Sequence, residues 1–284
     1  MRRSLLFIPG NSPAMIQNSD IFQSDSVIFD LEDSVIESEK DAARILVSNF
    51  LRIANLDSEI IIRINDMNSI FALDDLNEIV TDKIDCIMLP KATKSSLVEL
   101  DNALTKLEKE RELTKQIVII PIIELASSLV EINDIAKCPR LSGLLLGGED
   151  LSTDLETERT EIGNEIFFAR NVLVVAARAN KLDVIDTPYT STTDEAGLVK
   201  DASFAKSLGM NAKACIHPNQ IDIVNKVFSP SEKSIQLALK ILLTEQDAIK
   251  QKKGAFSVDG KMVDKPILER ARKTIEKAKK WNLL

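Results

Sequence analysis

Glu124 directly follows the apolar run Ile119-Ile120-Pro121-Ile122-Ile123, and Asp150 closes Gly147-Gly148-Glu149-Asp150 at the end of the next apolar run. Two carboxylates brought side by side can hold Mg²⁺. That cation takes oxygen ligands, often needs only one or two protein carboxylates, and leaves its other positions to water and substrate. The same acids could instead cap the helices that follow, because a carboxylate at a helix N-terminus is favourable in its own right. Position alone weighs the two readings equally. Gly147-Gly148, which lets backbone approach a ligand closely, tips the balance towards a site.

Further charged residues stand at similar places. Glu32 and Asp33, in Phe29-Asp30-Leu31-Glu32-Asp33-Ser34, add negative charge that a cation or several donors would have to relieve. They read either as acids behind a metal or as solvated loop acids beside Lys40 and Arg44. Arg63 interrupts the apolar Ile60-Ile61-Ile62-Arg63-Ile64, where an unpaired guanidinium is costly to bury. It must face an acid, with Glu32 or Asp33 the candidates, or a bound carboxylate that its fork can grip twice. His217 is the single histidine, which removes multi-histidine metal sites and most hydrolytic triads. Within Cys215-Ile216-His217-Pro218 it reads as a residue that orders a loop. The cysteines, Cys86, Cys138 and Cys215, have no activating bases beside them and read as packing residues. The glycines form neither GxGxxG nor a Walker loop, so nothing supports a nucleotide cofactor.

These residues share a position: each follows a short apolar run. Such runs occupy residues 4–8, 26–31, 59–64, 86–89, 117–123, 144–147, 184–185 and 213–216, about the eight that a closed parallel barrel needs. Their near-continuous apolarity suits strands covered on both faces, and segments 94–112 and 164–179 carry helical spacing. The expected fold is a (β/α)₈ TIM barrel, with a doubly wound open sheet as the alternative. In a barrel, the polar residues after the strands (Asn11-Ser12, Glu32-Asp33, Asn65-Asp66, Lys91, Glu124, Glu149-Asp150, Thr187 and His217) converge on one rim. After the eighth run the pattern changes to a helix over 231–252, a Gly-punctuated turn or hairpin over 254–265 and a second helix over 266–280 with Pro at its start. The expected division is a catalytic barrel over 1–228 and a helical extension over 229–284.

Composition narrows the function classes. A net charge of -8 argues against general nucleic-acid binding, which needs a basic face. Three cysteines without close spacing suggest neither a disulfide framework nor a zinc site and fit a reducing cytoplasm. The apolar start stops at Pro9-Gly10, too early for a signal peptide or a membrane span, so a cytoplasmic location is expected.

The motifs resemble the citrate lyase β-subunit family of the HpcH/HpaI aldolase superfamily. The resemblance is carried, in order, by Arg3-Ser4-Leu5-Leu6-Phe7-Ile8-Pro9-Gly10, the segment from Asp25 to Val35, Glu39-Lys40-Asp41-Ala42-Ala43-Arg44, Leu89-Pro90-Lys91, Gly147-Gly148-Glu149-Asp150, Phe168-Ala169-Arg170, Ile185-Asp186-Thr187, His217-Pro218-Asn219-Gln220 and the run from Gly260 to Pro266. It implies a Mg²⁺-dependent carbon–carbon lyase that cleaves a citryl thioester, on acyl-carrier protein or coenzyme A, to oxaloacetate and an acetyl thioester. Glu124 and Asp150 would be the metal ligands. Arg63, Glu124, Gly148, Glu149 and Asp150 would meet the substrate, and Arg63, Glu32, Asp33 and Asp264 would serve catalysis. Asp264 would act as an acid/base group from the C-terminal extension, in its own or a neighbouring subunit. Read without the resemblance, it is a cap for the helix begun by Pro266. Where many coenzyme A enzymes of this group carry a basic residue after Pro-Gly, this chain has Asn11-Ser12-Pro13, which favours a carrier-protein thioester. The resemblance further implies a homo-oligomer and other citrate lyase subunits as partners. Stand-alone citramalyl-CoA or malyl-CoA lyase is the alternative activity. A non-catalytic barrel binding a carrier or metabolite is the alternative of another class.

Overall fold

A computed structural model describes residues 1–250 and 256–284. Two compact units are present, Met1–Asn225 and Lys226–Leu284. In the first, eight strands run in order: β1 (Ser4–Pro9), β2 (Ser26–Asp30), β3 (Glu59–Arg63), β4 (Cys86–Leu89), β5 (Val118–Ile123), β6 (Gly143–Leu146), β7 (Asp183–Asp186) and β8 (Ala212–Cys215). Every neighbouring pair is parallel, and β8 returns to β1 with Leu5 opposite Ala214 and Leu6 opposite Cys215. That last pairing closes the barrel and removes the open-sheet alternative. The apolar runs mark all eight strands to within a residue or two. The 144–147 run ends at Leu146 instead, because Gly147 leads into the Gly148–Asp154 helix.

Because side chains alternate along a strand, one parity fills the barrel. Leu5, Ile28, Ile61, Cys86, Met88, Ile120, Ile122, Leu145, Ile185, Ala212 and Ala214 form that packed interior, with Phe7 and Val118 against it. The opposite parity, including Leu6, Val27, Phe29, Ile60, Ile62 and Leu144, is buried as well. Strands covered on both faces explain why the sequence shows apolar runs instead of alternation.

In the second unit the helices Glu232–Lys250 and Lys265–Lys280 flank a hairpin of β9 (Phe256–Val258) and β10 (Lys261–Val263). Asp259 and Gly260 both have positive φ, 52° and 76°, the two-residue turn that Asp-Gly favours. Ile235, Ala238, Ile241, Val258, Val263, Ala271 and Ile275 form this unit's core. The expected helix end at 251–252 and the expected turn start at Gly254 lie outside the described residues. Among the described residues, no helix is long and apolar enough to cross a membrane.

Candidate active site

The interior parity, continued past the strand ends, gives the rim. Two residues beyond Ile28, Ile61, Ile122, Leu145, Ile185 and Ala214 come Asp30, Arg63, Glu124, Gly147, Thr187 and Ile216. All of these line a cavity of about 470 Å³, together with Phe7, Pro9, Asp33, Ser34, Gly148, Glu149, Asp150 and Pro188. This is the C-terminal face, where α/β barrels carry their chemistry.

Register brings Asp30 of β2 directly opposite Arg63 of β3. Arg63 donates through Nε and Nη2 to the two oxygens of Asp30 at 2.6 and 2.7 Å, and through Nη1 to Asp33 Oδ2 at 3.3 Å. The Glu32 carboxylate is 3.0 Å from Nη1, and the guanidinium lies over the Phe7 ring at 4.9 Å. Sequence reasoning paired Arg63 with Glu32 or Asp33. Both are near it, but the bidentate partner is Asp30, which is the last residue of a strand and so carries no signal after the strand end. Burial alone would raise the Asp30 carboxyl, yet the Arg63 charge and hydrogen bonds outweigh it and hold the group below the usual carboxylate range. Asp30 also accepts the backbone N–H groups of Glu32 and Ser34 at 2.9 and 3.1 Å, so it shapes the loop that carries Glu32 and Asp33.

Glu124 is 3 % exposed. Its Oε1 accepts the backbone N–H of Lys91 at 2.5 Å. The helix after it, Ala126–Val130, instead has its Ala126 N–H taken by Asp154 at 2.7 Å. Glu124 is therefore not that helix's cap. Lys91 adopts a left-handed backbone, φ 47°, and its N–H is the donor to Glu124, while its Nζ reaches Glu32 Oε1 at 3.1 Å. A non-glycine residue in this region carries strain that surrounding contacts must hold. Burial, together with the Glu32 and Asp150 charges, pushes the Glu124 carboxyl up to about 8 against the pull of the Lys91 N–H and Arg63. Burial and Asp33 push Glu32 up to about 7, although Arg63 and Lys91 oppose this.

Asp150 is exposed in the first turn of the Gly148–Asp154 helix. Glu149 faces the same cavity, and its Oε1 accepts from Arg159 Nε at 3.0 Å. The close approach allowed by the two glycines is taken up by protein side chains. A Cβ on Gly147 would sit 2.5 Å from Glu124 Cβ and Oε2, and one on Gly148 would sit 2.8 Å from Thr187 Oγ1, which accepts the Gly148 N–H at 3.0 Å. Of the other predicted rim residues, Asn65 is buried and committed to Asp75 and the Leu31 carbonyl, and Asn11 bonds Glu39. His217 Nδ1 lies 2.7 Å from Asn219 Oδ1 and orders its loop, as its sequence setting suggests.

The donor set fits a hard divalent cation. Glu124 and Asp150 line one cavity, the Glu124 carboxyl feels the charges of both Asp150 and Glu32, and the buried Glu32 Oε2 has no hydrogen bond although it lies 3.0 Å from Arg63 Nη1. Among the described residues, no group of three or more His, Cys, Asp or Glu side chains is arranged as a metal cage. Mg²⁺ needs no such cage, since one or two acids can share the ion with water and substrate.

Residues 3–218 match the family model described as HpcH/HpaI aldolase/citrate lyase. The chain belongs to this family. Residues 165–283 also match the model of the C-C bond lyase of the TIM-barrel fold. The chain is 38% identical to the citrate lyase subunit beta of Haemophilus influenzae over 98% of its length and 97% of that protein. It is 31% identical to a (3S)-malyl-CoA thioesterase of Cereibacter sphaeroides over 97% of its length and 94% of the relative. A similar solved structure is that of protein CitE from Mycobacterium tuberculosis in complex with magnesium, acetoacetate and coenzyme A. Its TM-score is 0.78 at 28% identity, covering 98% of each chain.

Asp264 is in the second unit. Its side chain accepts the Ile267 N–H at 3.1 Å and so caps the Lys265–Lys280 helix, the role its place before Pro266 suggests.

Proposed function

We propose that the protein is a Mg²⁺-dependent lyase that cleaves a citryl thioester to oxaloacetate and an acetyl thioester, as the β component of a citrate lyase. The observation that carries this reading is that Glu124, Asp150 and Arg63 line one cavity at the barrel rim. The 38% identity to a citrate lyase subunit beta supports it along the whole chain. The presence of Glu124, Asp150 and Arg63 together at the rim speaks against a barrel that only binds.

Glu124 and Asp150 would hold the ion, which when bound supplies a Lewis acid for the substrate's hydroxyl and carboxylate oxygens. Of the five N–H donors of Arg63, three are engaged by Asp30 and Asp33 and the Glu32 carboxylate lies 3.0 Å from Nη1, so Nη2 is the nitrogen of the fork that keeps a hydrogen for a substrate carboxylate. Asp30 fixes that fork in place. Glu32, titrating near neutrality, and Asp33 supply the charge behind it. In the reaction the tertiary hydroxyl loses its proton and its oxygen becomes the ketone of oxaloacetate. The adjacent carbon–carbon bond breaks, and its electron pair passes to the thioester as an enolate, which takes a proton at carbon to become the acetyl group. Asp264 is assigned to proton transfer, on the resemblance of the run from Gly260 to Pro266.

For the carrier, Asn11-Ser12-Pro13 after the Pro-Gly turn supports a carrier-protein thioester, with coenzyme A as the other carrier of the same proposal. The cations nearest in sequence to the Pro-Gly turn are Arg2 and Arg3, at the far end of β1 from the rim. Arg2 is bound to Glu59 and Asp183, and Arg3 to Asp25. Neither is placed to meet a diphosphate at the rim. Assembly with other citrate lyase subunits and with further copies of the chain belongs to the same proposal. The resemblance keeps a lyase of malyl-CoA or citramalyl-CoA as the second reading, and the 31% identical relative, a (3S)-malyl-CoA thioesterase, supports only the malyl thioester as a substrate class. The test is oxaloacetate release from citryl-CoA with Mg²⁺, compared with turnover of malyl-CoA and citramalyl-CoA, for the wild type, Glu124→Gln and Asp150→Asn. Citryl turnover should dominate and both variants should lose it. Faster malyl-CoA or citramalyl-CoA cleavage would install the second reading.

A further inference from the structure

Four charged residues that the proposed chemistry does not use form a closed cluster on one side of the barrel. Lys213 of β8 and Asp186 of β7 are fully buried, as is Arg170 of the Phe167–Ala179 helix, and Asp201 joins them from the Glu195–Leu208 helix. Arg170 binds both oxygens of Asp186 at 2.8 and 2.9 Å and reaches Asp201 at 2.7 Å. Lys213 Nζ has three acceptors for its three hydrogens: Asp186 Oδ2 at 2.6 Å, Asp201 Oδ2 at 2.6 Å and the Thr187 carbonyl at 2.7 Å. Two cations and two anions balance, and each position is fixed by several directional bonds.

The third bond of Lys213 leads out of the cluster. It pins the backbone of Thr187, whose hydroxyl accepts the Gly148 N–H at 3.0 Å. Gly148 opens the helix carrying Asp150, and its missing Cβ is what lets Thr187 approach that closely. From Asp201 through Lys213 and Thr187 to the Gly148 N–H there is thus a series of short polar contacts, and Gly148 leads in two residues along the helix to Asp150; Thr187, Gly148 and Asp150 all line the cavity, while Asp201 and Lys213 do not.

We propose that the Arg170–Asp186–Asp201–Lys213 cluster is a positioning device which, through the Thr187 hydroxyl, sets the turn that presents Asp150 to the cation. The inference rests on the reading of Glu124 and Asp150 as metal ligands. It makes Thr187 and Asp201 positioning residues for metal binding, although Asp201 touches neither the turn nor the ligands. Groups that orient metal ligands from behind typically change metal affinity about 10–100-fold when removed.

The test is Mn²⁺ binding to the full chain without substrate, followed by electron paramagnetic resonance, with circular dichroism to confirm folding. Thr187→Val, nearly isosteric but without the hydroxyl, should weaken Mn²⁺ about 10–100-fold. Thr187→Ser should bind like the wild type. Asp201→Asn should weaken binding too, and the double variant Thr187→Val/Asp201→Asn should be no weaker than the weaker single one, because both act through one link. Wild-type affinity in Thr187→Val, equal loss in Thr187→Ser, or additive losses in the double variant would each overturn the inference while leaving the metal site standing. Asp150→Asn and Glu124→Gln separate the two readings: undiminished Mn²⁺ binding in both overturns the metal assignment and the inference with it.

Discussion

On the proposed assignment of Glu124 as a cation ligand, its raised carboxyl ties cation affinity to pH. The perturbation is pH itself, between 6 and 9, with Glu124→Gln as the control. A carboxylate must lose its proton to bind a cation, so protons and Mg²⁺ compete for it. With the metal-free group at about 8, the affinity at pH 6 is reduced roughly 100-fold, at pH 7 roughly tenfold and at pH 8 about twofold. Isothermal calorimetry should therefore show a dissociation constant falling about tenfold per pH unit up to the bend near 8 and level beyond it, a span of about 2.7 kcal/mol. Stability of the metal-free protein runs the other way. Folding raises this group from its ordinary 4.5 to about 8, so the folded state holds an extra proton between those values. The resulting stabilisation, on the order of 5 kcal/mol, is fully present below pH 4.5 and is lost as pH rises through 8. Saturating Mg²⁺ should offset that loss if Glu124 is its ligand, because it would bind the ionised folded form. Glu124→Gln should abolish the bend in the affinity curve and flatten this part of the stability profile. An affinity independent of pH between 6 and 8 would refute the reasoning, since Glu124 would then be ionised throughout or would not be a ligand.

Two further outcomes follow from the same geometry. Arg63→Met strands the buried Asp30 carboxylate and should lower unfolding stability in urea by about 3–5 kcal/mol, with part of the loss recovered in Arg63→Met/Asp30→Asn. Asp264→Ala removes a helix cap and should cost about 1 kcal/mol in thermal unfolding, while Asp264→Ser keeps the cap. If Asp264 transfers the proton, both variants lose turnover equally at unchanged Mg²⁺ affinity, whereas a capping role alone leaves Asp264→Ser active.

Most of the barrel was legible because burial on both faces of each strand leaves an unbroken apolar run that ends where the rim begins. Glu124, Asp150 and Arg63 were found for that reason: each breaks or follows such a run. Asp30 was not, although it stands two residues beyond the interior Ile28, because which parity faces the interior is set by barrel closure and both parities here are apolar. The use of Gly147 and Gly148 was also hidden. Their spacing announces a close approach but not that Glu124 and Thr187 fill it. The same holds for Lys213, which in sequence is one lysine among many and acquires meaning only beside Asp186, Asp201 and Thr187. Charge partners drawn from distant segments have no local signature.

The left-handed backbone at Lys91 bears on how this rim can change over evolutionary time. Glu124 is oriented by the peptide N–H of residue 91, while Glu32 is met by its side chain. The two services are separable. Glycine or asparagine at this position keeps the backbone shape and the N–H, and so discards the ammonium without disturbing the acid; valine or isoleucine, disfavoured at positive φ, disrupts both. A lineage drifting to a new substrate can therefore retune the charge behind Arg63 at position 91 while the hold on Glu124 is inherited unchanged.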